Sequence, residues 1–307
     1  MPHDRVDGTT RRKAMQCLML GSAGVLWTVK GGVPQSLQLV GDAAAAETGD
    51  FSFAQVSDTH IGFKNPINPD PNGSLNDALA RITAAKPRFM LHTGDVTHLA
   101  KPEEFDTADQ LLKAAKLETF HVPGEHDVIG DDGKQFFARF GRSKGGGGWY
   151  SFDQDGVHFV ALVNVVNLKA GGQGSLGREQ IEWLEGDLKG KSASTPIVVF
   201  AHMPLWAVYP QWGWGTDDGD AALAYLKRFG SVTVLNGHIH QVIQKVEGNI
   251  TCRTAYSTCF PQAAPGAAGA SPGPLKVPAE KLKAMLGVRR VDVVADKVAL
   301  SDATLAS

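Results

Sequence analysis

The chain has 307 residues, 43% hydrophobic and 20% charged, with a formal net charge of -2. This is the composition of an ordinary globular protein with apolar material for one large core or two small ones. The near-neutral balance supplies no basic field, which argues against binding to duplex nucleic acid or an anionic membrane surface.

The elements begin behind a leader. Thr10-Arg11-Arg12-Lys13 precedes an apolar run over 14–29, and Ala43-Ala44-Ala45-Ala46 offers a small-residue cleavage site. This is the layout of an export signal, and the paired arginines point to the twin-arginine machinery as a partner. The run is short for a membrane span and is broken by Gly21, Ser22 and Gly24, so no stable anchor is expected after cleavage. The expected division is a signal peptide over 1–46 and a folded domain over 47–307, periplasmic or secreted. Cys17 would leave with the signal. Neither remaining cysteine has zinc-finger or thioredoxin-type spacing, and six residues between Cys252 and Cys259 permit a disulfide without requiring it.

Residues 51–56 read as a buried strand that ends at Ser57-Asp58. Residues 65–73 are loop, and 74–85 have helical spacing at Leu75, Leu79 and Ile82. A short strand over 88–92 delivers Thr93-Gly94-Asp95, and Pro102-Glu103-Glu104 opens a helix to about 115. A third strand, 118–122, ends at Pro123-Gly124 and is followed at once by Glu125-His126-Asp127. Residues 133–140 suit a short helix, and 149–152 with 157–164 a hairpin around Asp155-Gly156. An amphipathic helix over 177–188 precedes a β-branched strand, 197–200, which stops before His202. A helix over 220–229 leads to a strand at 232–235 and then to Gly237-His238-Ile239-His240. The apolar runs near 242–247, 250–256, 291–295 and 297–301 look like antiparallel strands, separated by an Ala, Pro and Gly-rich loop at 261–278.

Strands alternating with helices, plus antiparallel hairpins, fit a layered α/β sandwich on mixed sheets. In such folds sites form beyond the carboxyl ends of strands, and all five ionisable blocks fall there. Together they offer Asp58, His60, Asp95, Glu125, His126, Asp127, His202, His238 and His240. Oxygen and imidazole donors without thiolates suit first-row metals. The donors outnumber the needs of one ion, and two ions about 3.5–4 Å apart would use them. His92 and His121 lie inside strand-like runs and read as packed histidines.

The ordered set Asp58-x-His60, Gly94-Asp95, Gly124-x-His126-Asp127, His202 and Gly237-His238-x-His240 resembles the calcineurin-like metallophosphoesterase superfamily over residues 51–240. Residues 149–152 and 179–184 resemble its purple acid phosphatase and class III cyclic nucleotide phosphodiesterase branches. The resemblance implies a four-layer α-β-β-α sandwich and a dinuclear centre of Fe, Mn or Zn. It implies Asp58, His60 and His240 on the first ion, Asp95 as bridge, and residue 125, His202 and His238 on the second. His126 would face a small phosphate-ester substrate, with Asp127 orienting it. The implied activity is hydrolysis of phosphate mono- or diesters by a metal-bridging hydroxide.

Two positions depart from that family pattern. Glu125 stands where the family has Asn, adding a negative charge and removing an N–H donor. Two readings are open: a ligand that favours a more highly charged metal pair, and a weakened second site in a non-catalytic binding protein. His98 stands where purple acid phosphatases carry a tyrosine, either as a group touching the centre or as a loop histidine beside it. Trp206, Trp212 and Trp214 crowd the segment after His202, either to cap the site and stack on an aromatic leaving group or to pack a long loop.

Overall fold

Phe51 and Phe53 point to one face of their strand and Ala54 and Val56 to the other, and this alternation dictates the layering. The computed structural model describes residues 26–30, 33–37, 50–143, 146–267, 269–294 and 297–306. Most of the expected leader, with Cys17, lies outside the described residues. Within it, β1 (Leu26–Lys30) and β2 (Val33–Leu37) pair antiparallel.

The second compact unit spans Thr48–Ser307. One sheet contains β3 (Phe51–Val56), β4 (Met90–His92) and β5 (Thr119–His121), all parallel. The chain returns to it at the end as β12 (Gly287–Val294) and β13 (Lys297–Thr304), giving the order β13-β12-β3-β4-β5. The other sheet holds β6 (Tyr150–Gln154), β7 (Val157–Ala161), β8 (Ile197–Phe200), β9 (Val232–Asn236), β10 (Gln244–Glu247) and β11 (Ile250–Thr254). Its order is β10-β11-β9-β8-β7-β6. β11 runs parallel to β9 rather than antiparallel as expected, because the turn after Glu247 inserts it between β9 and β10.

Phe51, Phe53, Phe89, Phe120, Phe159, Val198 and Phe200 fill the space between the sheets. Phe53 stacks on Phe89 at 5.2 Å and meets Phe159 edge-on at 5.3 Å. The outer face of the first sheet is covered by α1 (Pro71–Ala84) and α2 (Pro102–Ala114) through Leu75, Leu79, Ile82, Phe105 and Leu112. The outer face of the second is covered by α4 (Arg178–Leu188) and α5 (Gly219–Leu226) through Leu184, Leu188, Leu223 and Leu226. The expected α-β-β-α order of layers is the observed one. Two short helices complete the set, α3 (Lys134–Phe140) and α6 (Ala279–Leu282). α1 begins three residues before the expected start because Asp70 caps it, accepting from Gly73 N at 2.8 Å. Among the described residues no helix is long and apolar enough to cross a membrane.

Candidate metal centre

Each expected site residue comes after a strand end: Asp58 and His60 after β3, Asp95 after β4, Glu125–Asp127 as a 3-10 turn after β5. His202 lies beyond β8, and His238 and His240 beyond β9. Backbone bonds tie these loops together, with Asp58 N donating to Gly94 O (3.0 Å), His60 N to Asp95 O (2.9 Å) and Gly237 N to His202 O (2.9 Å). Asp58, His60, Asp95, His238 and His240 have φ of 54°, 41°, 52°, 71° and 52°. That left-handed backbone costs on the order of 1–3 kcal/mol per residue and is held where a site demands it. A Cβ at Gly124 would collide with Asp95 Oδ1, so glycine is required there for the carboxylate to sit where it does.

The side chains fall into two triads on either side of Asp95. Asp58, His60 and His240 form one, and Glu125, His202 and His238 the other. His240 Nε2 lies 3.3 Å from both Asp58 Oδ1 and His60 Nε2. Glu125 Oε2 lies 2.9 Å from His202 Nε2, and its Oε1 lies 3.0 Å from His238 Nδ1. Asp95 Oδ2 is 3.5 Å from His60 Nε2 and 3.4 Å from His202 Nε2, the position of a bridge. Asp95 Oδ1 meanwhile accepts from His126 N at 3.0 Å.

These residues fit metal ions. Glu125 Oε2, His202 Nε2 and His238 Nδ1 are buried, and none has a hydrogen-bond partner among the described residues despite their proximity. Donor atoms this close but not aligned for donation direct their lone pairs at a shared point, which a cation would fill. The remaining ring nitrogens are fixed from behind. His202 Nδ1 donates to Thr93 O at 2.7 Å and His240 Nδ1 to Phe260 O at 2.6 Å, which leaves each Nε2 free to ligate. In the protein alone, burial opposes a charge on His202, but Asp95 and Glu125 outweigh it and hold the imidazole well above its ordinary pKa. Burial also works against ionising Asp58, yet His240 and His202 keep its carboxyl below the usual range.

Asp127 requires a correction. It does not orient His126. Its carboxylate accepts from Val96 N (3.0 Å), Thr97 N (2.8 Å), Thr97 Oγ1 (2.9 Å) and Gly124 N (3.0 Å), so it clamps the Asp95 loop to the turn after β5. Burial and the neighbouring Asp95 push its pKa up to about 7. His126 is held instead by the carbonyl of His98, to which its Nδ1 donates at 2.7 Å. Burial lowers the His126 pKa, Asp95 and Glu125 raise it, and the net shift is upward.

His98 touches the centre directly. Its Nδ1 lies 3.3 Å from His60 Nδ1, and its ring stacks on His126 at 5.0 Å and 17°. With His60 Nε2 on the side of Asp95 and His240, His60 Nδ1–H donates to His98. No spacing rule marks such a contact, since it depends on two loops packing side by side. His98 also lines a cavity of about 570 Å³ with Phe63, Lys64, Pro71, Lys101 and Glu104. A second cavity, about 450 Å³, lies between Trp149, Trp183 and Asp187 and contains none of the site residues. Trp206 and Trp214 are buried in packing rather than poised over the site, Trp206 against the second sheet and Trp214 edge-on to Trp212 at 5.0 Å. His92 and His121 are packed as expected, stacked 5.7 Å apart beneath the loops. Cys252 and Cys259 are buried free thiols.

The sequence profile described as calcineurin-like phosphoesterase matches residues 51–242. The chain is 25% identical over 219 residues to a 3',5'-cyclic-nucleotide phosphodiesterase of Nostoc sp., covering 68% of this chain and 79% of that one. It is also 25% identical over 220 residues to a glycerophosphodiester phosphodiesterase of Enterobacter lignolyticus, covering 67% and 77%. Among solved structures, a dimetal phosphatase from Danio rerio superposes with a TM-score of 0.66 at 14% identity, over 84% of this chain and 97% of that one. A purple acid phosphatase from yellow lupin gives 0.61 at 13% identity, over 84% and 52%. These two likenesses concern the fold.

Proposed function

The chain belongs to the calcineurin-like phosphoesterase family and is a metal-dependent phosphoester hydrolase; we propose that it is an exported, dinuclear enzyme acting on small phosphate mono- or diesters. The observation that carries this reading is the pair of triads sharing Asp95. Asp58, His60 and His240 would hold one ion and Glu125, His202 and His238 the other, with Asp95 between them. Such ions would supply Lewis acidity toward phosphoryl oxygens and lower the pKa of a nucleophilic water. The chain's own residues do the rest. Thr93 O and Phe260 O fix the tautomers of His202 and His240, so each ring offers Nε2 without reorganising. His126, its Nδ1 proton held by His98 O, keeps Nε2 for the departing alkoxide, the position of a general acid.

Both phosphodiesterase relatives favour diesters as substrates. The extra charge of Glu125 suits either a pair that contains a trivalent ion such as Fe(III), or two divalent ions such as Mn or Zn that then carry one positive charge less toward the substrate. The arginine pair, apolar run and alanine run of 1–46 support export by the twin-arginine route, with residues 47–307 as the mature metallophosphoesterase domain. The test is turnover of chromogenic mono- and diesters by the 47–307 protein reconstituted with Mn, Zn or Fe, with His202→Ala as control. Metal-dependent hydrolysis lost in the control is expected. Full occupancy with no turnover on either ester would instead favour a ligand-binding protein. For export, cell fractionation should place the full-length chain outside the cytoplasm and an Arg11→Lys, Arg12→Lys double variant inside it.

A further inference from the structure

The three carboxylates of the centre differ in how they meet solvent. Asp58 and Asp95 are almost completely buried, at 0% and 2% exposure, whereas the Glu125 side chain is 23% exposed. His238, at 11%, and the half-buried His126 lie beside Glu125 on the same open side. Of the three carboxylates, Glu125 is therefore the one nearest the open side of the centre. Glu125 is also held in place, since its two oxygens span His202 Nε2 and His238 Nδ1.

We propose that Glu125 is a specificity-determining residue that makes the centre, when loaded with two divalent ions, select singly charged phosphodiesters over doubly charged monoesters. The inference rests on the dinuclear reading of the proposed function. Three carboxylates against two divalent ions leave the centre one positive charge poorer than a neutral residue at 125 would, whatever the ionisation of a bound water. That missing charge weighs about twice as much on a monoester dianion as on a diester monoanion. The difference is felt strongly because the surrounding ligands are desolvated, which weakens dielectric screening. The two anions also differ in size and in the number of non-ester oxygens, and comparing their affinity ratio between variants cancels those differences and leaves the charge at 125. The discrimination thus resides in the one carboxylate at the rim, and it disappears if a trivalent ion supplies the missing positive charge.

The test is equilibrium binding to the Zn-loaded or Mn-loaded 47–307 protein, with metal content measured alongside. Inorganic phosphate, above its second pKa, serves as the dianion, and dimethyl phosphate as the monoanion. Both Glu125→Gln and Glu125→Asn, two ions bound, are expected to shift the affinity ratio toward phosphate by roughly a hundredfold, the effect of one unit charge about 5 Å away at an effective dielectric of about 20. Glu125→Asp, which keeps the charge, should retain the parent ratio. Unchanged ratios in the neutral variants would overturn the proposal. So would loss of an ion from both of them, since the carboxylate would then serve metal retention. The kcat/KM ratio for chromogenic mono- and diesters should move in the same direction. A parent protein that binds no second ion would sink the dinuclear reading instead.

Discussion

His98→Ala isolates the support behind one metal ligand. Of the imidazoles assigned to ions, His202 and His240 donate Nδ1–H to backbone carbonyls, which no substitution of a side chain removes. His60 relies on a side chain, His98 Nδ1 at 3.3 Å. Removing the group behind a metal-bound histidine typically weakens metal binding by about 10- to 100-fold, which is about 1.4–2.8 kcal/mol. The loss should fall on one ion, because the triad of Glu125, His202 and His238 makes no contact with the His98 ring in the described structure. The carbonyl that holds His126 belongs to the backbone and survives the substitution. Turnover at saturating metal should therefore stay close to the parent value. Competition titration with a metal chelator measures the affinities, and His98→Asn, which restores a side-chain acceptor, should recover part of the loss. Equal affinities in parent and His98→Ala, or equal weakening of both ions, would refute the account of His98 as the partner of His60.

The His92 ring predicts a pH effect on stability. It accepts at Nδ1 from Gly94 N (3.3 Å), so its proton sits on Nε2 beside Thr59 Oγ1 (3.2 Å), and burial drives its pKa down to about 3 from 6.5. Between those values the unfolded chain binds a proton that the folded chain refuses, so stability falls as pH drops below about 6.5, by about 2 kcal/mol at pH 5. Urea unfolding at the two ends of that window should show a smaller pH dependence in His92→Gln than in the parent; equal slopes would contradict it. Gly124→Ala should push Asp95 out of its bridging position, lower metal content and cost about 1–3 kcal/mol of stability. Full metal content in that variant would show that the loop yields. Thiol titration of the denatured 47–307 protein should find both cysteines free, and none free would contradict the reduced state of Cys252 and Cys259.

Residues 51–56 and 197–200 are legible as strands because their apolar side chains are continuous and β-branched or aromatic, and ionisable residues stand directly behind them. That local contrast also exposes the five site blocks, since nothing in a core calls for His or Asp immediately after a strand. Non-local contacts are not legible in the same way. Asp127 sits beside His126 in sequence, so orienting that ring is the natural expectation, but its four donors come mainly from the Asp95 loop, about 30 positions away. The role of His98 is hidden for the same reason. The sequence leaves Trp206 and Trp214 open between cap and packing, and only their burial separates the two uses, in favour of packing. The parallel pairing of β11 with β9 depends on which strand lies between two others, which apolar patterning does not encode.

The central claim, two ions held by two triads that share Asp95, is tested most directly by counting metal per chain in single-ligand variants. The account predicts two ions in the parent 47–307 protein, one in His240→Ala and one in His238→Ala, with fewer than two in Asp95→Ala. One ion in the parent, or two retained in both histidine variants, would contradict it.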